Sequence, residues 1–393
     1  MIPITRLSVG EAEAAAAAKV VTSGWLAQGK QTEAFERLVA DYVGAAHAVA
    51  VSSCTTGLHL ALLAAGVGRG DEVVCPSYSF IATANAVLYA GATPVFVDID
   101  PDTYNLDPDL LAAAITPRTK AILPVSQIGL ACDLPAVLAV ARRHALAVVE
   151  DAAPSFGATI GGKFVGRFSD MTVFSFDARK ILTTGEGGVV TTDDPALADR
   201  VRSLRAHAAS VPMIVRHTAT TPVLEGYPEV GFNYKMTDIQ AAIGVVQMGR
   251  VEAIIAERRR LAARYTAALA ADDRLVLPVE PAGYRHVYQS YCVRLRGPAG
   301  QADVMTRMAA RGVATRRIIA IHQEPVYRRL YPDLSLPHTE AATSRTLLLP
   351  MFVGLTDAEL DEVVAALRAA LDECGPAAGW SRPARRSRPA VLA

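Results

Sequence analysis

The sequence predicts an α/β protein in which a mostly parallel seven-stranded sheet lies between helices and a smaller C-terminal α/β domain follows. Three observations lead there. Seven short β-branched runs recur through the first half of the chain, helical patterns separate most of them, and after Met236 the pattern changes to a long helix and then to shorter mixed elements. Strands that are apolar on both faces and joined through helices belong in a parallel sheet covered on both sides.

The runs are AVAVSS (48–53), EVVC (72–75), TPVFVDI (93–99), KAILPV (120–125), LAVVED (146–151), MTVFSF (171–176) and GGVVTT (187–192). Between them, segments such as TTGLHLALLAAG and LPAVLAVARRHA carry apolar residues at helical spacing and end in glycine or basic residues. The last two runs are separated mainly by a loop around Lys180, so this pair is expected to join differently. The long helix TDIQAAIGVVQMGRVEAIIAERRRLAARYTAALAA then places the domains at 1–250 and 251–374. Residues 375–393, rich in Pro, Ala and Arg and without periodicity, are expected to form a disordered tail.

With 393 residues and 51% hydrophobic content, the chain can bury a large core. Lysine plus arginine and aspartate plus glutamate both number 39, so no net field draws it to nucleic acid or to an anionic membrane, and neither is expected as a partner. The N-terminus lacks the basic-then-apolar order of a leader, and no run of about 18 apolar residues occurs, so a cytoplasmic location is expected. Cys54, Cys75, Cys132, Cys292 and Cys374 are scattered and show no C-x-x-C spacing, which fits reduced thiols and no metal site.

Ligands of an open parallel sheet sit at the carboxyl ends of its strands. Three features meet there. CTTG (54–57) follows the first run at a helix start, where hydroxyls and free amides either hold a phosphate or simply cap the helix. Asp151 ends the fifth run, as a functional acid or as a satisfied buried carboxylate. Lys180 lies in FSFDARKILTTGEGGVV (174–190), between a strand and a glycine cluster, although a lone lysine is ordinarily a solvated surface residue. Together, a phosphate cradle, a carboxylate and an amine are the set that pyridoxal 5'-phosphate needs: a Schiff-base lysine and an acid that keeps the pyridine nitrogen protonated.

Five stretches carry a resemblance that sharpens this reading: SGWLAQGKQTEAFE (23–36), GDEVVCPSYSFIATANAVLYAGATPVFVDIDPDTYNLD (70–107), EDAAPSFGA (150–158), FSFDARKILTTGEGG (174–188) and GFNYKMTDIQAAIG (231–244). The chain resembles the DegT/DnrJ-type sugar aminotransferases, pyridoxal-phosphate enzymes of the aspartate-aminotransferase fold (fold type I). By this resemblance Lys180 forms the Schiff base and shuttles the proton, Asp151 pairs with the pyridinium nitrogen, and Phe80 stacks on the ring face. Thr55 and Thr56 match the phosphate-binding turn and Ser175 a further phosphate ligand. Asn233 matches a residue donated to the phosphate across a dimer interface, which implies a homodimer with shared active sites. The reaction implied is ping-pong transfer of an amino group, most often from glutamate, to a keto group on a nucleotide-linked deoxysugar. Candidate substrate contacts are Trp25, Arg316, Arg317, His322 and Tyr327. A guanidinium there suits a diphosphate or the donor's carboxylate, and the other reading is a surface arginine pair with a core tyrosine.

The chain also departs from the family pattern. Pro154 stands where relatives often have a glutamine facing the cofactor's phenolic oxygen; it cannot donate, and Ser155 is the candidate to compensate. Asp177 and Ser126 replace imidazoles expected near the substrate entrance, and Cys54 replaces a glycine of the phosphate turn. His207 and His286 are expected to be structural. Relatives that dehydrate typically carry histidine in place of the lysine, so Lys180 favours transamination. A keto-cyclitol or other carbonyl acceptor, dehydration or elimination on the same cofactor, and a regulatory protein that binds it without turnover stay open as alternatives.

Overall fold

A computed structural model describes residues 1–211, 219–297 and 299–374. The tail expected from residue 375 lies outside the described residues. All seven runs are strands: β1 (His47–Val51), β2 (Glu72–Pro76), β3 (Thr93–Val97), β4 (Thr119–Ile122) and β5 (Ala147–Asp151), then, after a short hairpin of β6 (Thr159–Ile160) and β7 (Lys163–Phe164), β8 (Met171–Ser175) and β9 (Gly188–Thr192). They form one sheet in the order β1-β9-β8-β5-β4-β2-β3. The pairs β2–β3, β2–β4, β4–β5 and β5–β8 are parallel. Only β9 runs against its neighbours, antiparallel to both β1 and β8. The strand pair joined by the Lys180 loop is thus the one that breaks the pattern, because a direct return without a crossover helix forces antiparallel pairing.

The helices cover both faces. α1 (Glu11–Ser23) and α2 (Lys30–Val43) precede the sheet, α3 (Cys54–Ala64) follows β1, and α4 (Ala82–Tyr89) connects β2 to β3. α3 approaches the sheet closely because two glycines leave room. A Cβ at Gly57 would fall 2.7 Å from Val173 Cγ1, and one at Gly188 would fall 2.6 Å from the Ser53 carbonyl carbon and 2.7 Å from the Cys54 nitrogen. Close approach, not backbone twist, is what Gly188 provides. Of the GEGG glycines only Gly185 has a positive φ, 84°.

Further strands are β10 (Leu275–Val276), β11 (Tyr284–Arg285), β12 (Tyr291–Leu295) and β13 (Thr346–Leu349). β11 extends the β6–β7 hairpin, while β10, β12 and β13 form a separate antiparallel sheet. The boundary expected at 250/251 falls at the start of the helix Val251–Leu269. Ile254 and Ile255 of that helix pack in a core with Phe35, Phe156, Phe174 and Phe176. Leu261, Tyr265 and Leu269 pack in another, with Tyr291, Leu347 and the helix Asp357–Glu373. All five cysteines are free. Among the described residues no single helix is long and apolar enough to cross a membrane.

Two buried carboxylates cap helices that are distant in sequence. Asp98, just after β3, accepts from the Thr339 nitrogen (2.7 Å) and hydroxyl (2.8 Å) and from the His338 nitrogen (2.9 Å), at the start of the helix Pro337–Arg345. Asp238 accepts from the nitrogens of Gly29 (2.7 Å), Gln31 (3.1 Å) and Thr32 (3.0 Å) and from the Thr32 hydroxyl (2.7 Å). The α2 N-cap is Gly29, which has no side chain, so Asp238 supplies the missing acceptor. Asp238→Ala would strand these donors and is expected to cost on the order of 2–4 kcal/mol, read as a lower urea midpoint.

Candidate active site

The carboxyl ends of β1, β2, β4, β5 and β8 open onto one cavity of about 810 Å3. Ser53, Cys54 and Thr55 enter it from the start of α3, Ser79 and Phe80 from the turn after β2, and Asp151 from the end of β5. Ser175 and Lys180 enter from the end of β8 and its loop, and Arg316 and Arg317 line the same cavity.

Asp151 is buried at 5% exposure. Its Oδ2 accepts from the Thr83 hydroxyl at 2.8 Å and its Oδ1 from the Ala153 nitrogen at 3.1 Å. Burial pushes its pKa up, while Thr83, the Ala153 amide and the Lys180 charge pull it down. Its neighbour Glu150 faces the other side of the sheet, as strand alternation requires. There it accepts from the Ser126 (2.5 Å) and Thr172 (3.2 Å) hydroxyls, and burial pushes it up from an ordinary 4.5 to about 7.

Lys180 is half-buried, in a turn closed by its own nitrogen donating to the Asp177 carbonyl at 3.0 Å. The Asp177 carboxylate steadies that turn by accepting from the Arg179 nitrogen (3.1 Å) and Nε (3.3 Å). Phe80 is 69% exposed, so it is no core phenylalanine; its ring stands on the cavity wall. At the start of α3 the Thr56 amide donates to the Ser53 hydroxyl at 3.2 Å, while the Cys54 and Thr55 amides have no intrahelical acceptor. An exposed aromatic face, a buried acid near an amine and a helix start with free amides fit pyridoxal phosphate in chemistry, and the cavity fits it in size.

Residues 8–368 match the DegT/DnrJ/EryC1/StrS aminotransferase family. The chain belongs to that family. It is similar to the GDP-perosamine synthase of Caulobacter vibrioides, 46% identical over 337 residues that cover 85% of this chain and 88% of that one. Among solved structures it is similar to the aminotransferase TlmJ of Streptoalloteichus hindustanus, with 37% identity, a TM-score of 0.88, and 95% and 99% of the two chains covered. It is also similar to Spr1654 of Streptococcus pneumoniae in its PMP form, with 26% identity, a TM-score of 0.90, and 95% and 100% covered. Spr1654 has been solved in a PLP form as well. The protein is a pyridoxal-phosphate-dependent aminotransferase, with the α/β fold and seven-stranded sheet of its relatives.

Within this aminotransferase several expected site residues lie elsewhere. Thr56 does not line the cavity; its hydroxyl accepts from the Ser53 nitrogen (3.1 Å) and donates to the Ser53 carbonyl (2.8 Å), closing a capping box. Ser155 is fully buried and donates to the Ala152 carbonyl at 3.3 Å, so it does not stand in for the glutamine that Pro154 replaces. Ser126 is also fully buried on Glu150, away from any entrance. His322 is a core residue, with Nδ1 2.7 Å from the Ser77 hydroxyl and Nε2 3.3 Å from Glu340. Tyr327 is fully buried and donates to Asn85 at 2.7 Å. Trp25 donates to the Gln28 carbonyl at 3.2 Å and does not reach the cavity. Asn233 is exposed, outside this cavity, and accepts from Lys235 Nζ at 2.6 Å. Buried His286 is structural as expected; its Nδ1 accepts from the Tyr288 nitrogen and burial pushes its pKa down to about 3.

Sequence reasoning missed Thr83, whose one signal is its spacing of four residues from Ser79. It also missed Ile4 and Thr5, which line the cavity from the N-terminal segment with no sequence cue at all. Glu150 yields a pH test. Between about pH 4.5 and 7 the folded protein keeps a proton that the unfolded chain has released, so stability falls as pH rises through that window. In Glu150→Gln the urea midpoint is expected to fall less between pH 5 and 7.5 than in the parent; an unchanged slope would contradict the assignment.

Proposed function

We propose that this enzyme moves an amino group from an amino acid, L-glutamate in the simplest case, to the keto group of a nucleotide-linked keto-deoxysugar. It works as a cytoplasmic homodimer with shared active sites. The observation that carries this reading is the meeting of Lys180, Asp151 and the start of α3 in one cavity that two arginines also line. Similarity to a GDP-perosamine synthase supports a nucleotide-linked acceptor.

When bound, pyridoxal phosphate supplies an aldehyde that takes up the amino group and a ring that draws electrons from the substrate carbon. Lys180 Nζ would be the amine that holds the cofactor, and as a free amine in the same place it would be the base that takes the proton from the donor's α-carbon. Asp151 would pair with the ring nitrogen and hold its proton by charge. Phe80 would cover a ring face, while Thr55, Ser175 and the α3 amides would receive the phosphate. Asn233, on the surface, serves the second copy's site. Arg316 and Arg317 line the cavity, where their guanidiniums suit a diphosphate or the donor's carboxylate. Residues 1–250 form the cofactor-binding domain and 251–374 the smaller one.

Addition of glutamate to the holoenzyme is expected to shift the absorption of the lysine-bound cofactor to that of the amine form, with one 2-oxoglutarate released per site. A spectrum indifferent to glutamate would overturn the donor assignment. Lys180→Ala is expected to lower turnover by about 10³-fold or more with an unchanged circular dichroism spectrum; turnover at the parent rate would contradict the role of Lys180.

A further inference from the structure

A buried carboxylate needs donors to stay ionised. Asp151 has few. The Ala153 amide serves Oδ1 at 3.1 Å, and the Cys54 thiol, a weak donor, is 4.0 Å from the same oxygen. Oδ2 has the Thr83 hydroxyl at 2.8 Å, which makes Thr83 the only side-chain oxygen donor to Asp151 among the described residues. Thr83 is fully buried in the first turn of α4, and its branched side chain is stiff about χ1, so the oxygen has a fixed place. Its Oγ1 also lies 2.8 Å from the hydroxyl of Ser79, a residue of the cavity wall. A threonine hydroxyl has one proton to give. Donation to the carboxylate leaves its lone pairs for the proton of Ser79, so the hydroxyls form a polarised chain from the cavity wall through Thr83 to Asp151. Phe80 lies just before α4 and its carbonyl accepts from the Thr83 nitrogen at 3.2 Å, which ties the cavity's aromatic wall to the donor.

We infer that Thr83 is a positioning residue that keeps Asp151 ionised and aimed into the cavity, supported by Ser79. The inference rests on the reading of Asp151 as the partner of the ring nitrogen. Thr83→Val removes the hydroxyl at nearly constant shape, and Thr83→Ser restores it. Three quantities test the idea: the affinity of the cofactor-free protein for pyridoxal phosphate, the rate of the glutamate half-reaction followed by absorbance, and the KM for the acceptor. In Thr83→Val the affinity and the half-reaction rate are each expected to fall by about tenfold, with the acceptor KM unchanged, and Thr83→Ser is expected to recover most of both. Parent-like values in Thr83→Val, or equal losses in the valine and serine variants, would overturn the inference. Asp151→Asn, measured alongside, separates the two claims. Parent-like behaviour there would overturn the reading of Asp151 itself, whereas a collapse there with a parent-like Thr83→Val would overturn only the role of Thr83.

Discussion

Asp151 reaches the cavity and Glu150 the opposite face because β5 pairs with β8 in a single register, Glu150 beside Thr172 and Asp151 beside Val173. A slip of one residue would exchange the two acids. Each is fitted to its side. Burial pushes Glu150 up to about 7 against the pull of the Ser126 and Thr172 hydroxyls. Burial pushes Asp151 up as well, and there a hydroxyl, an amide and the Lys180 charge pull the other way. Since β5 is the central strand of seven, its register is held from both sides, by β4 and β8.

The remaining parts of the site are placed by what packs against that strand. β1 and β8 both flank β9, and their carboxyl ends meet at Gly188, opposite Val51 on one side and Ser175 on the other. The absence of a side chain there lets the start of α3 settle onto the sheet, so that its free amides and Thr55 open into the same cavity as Lys180. Asp98 and Asp238 then hold distant helices in place through backbone donors and one threonine hydroxyl each.

Much of this was legible in the sequence. The strands declared themselves as short runs apolar on both faces, and Asp151 and Lys180 stood out because a parallel sheet sends strand ends to one edge. Side-chain direction was less legible. Thr55 and Thr56 are neighbours in one motif, yet one faces the cavity and the other closes a cap. Ser155 occupies a motif position and His322 and Tyr327 were candidate substrate contacts, but all three spend their polar atoms inside the core. Thr83 was invisible for a different reason: its partner lies 68 residues away and only the fold brings them together.

The central claim is that Lys180, facing Asp151, is the amine that carries the cofactor. Borohydride reduction of the holoenzyme followed by peptide mass mapping tests it most directly, since reduction fixes the cofactor to whichever lysine holds it. One pyridoxyl-phosphate group per chain on the peptide containing Lys180 is the expected result. A label on a different lysine, or none at full cofactor loading, would contradict it.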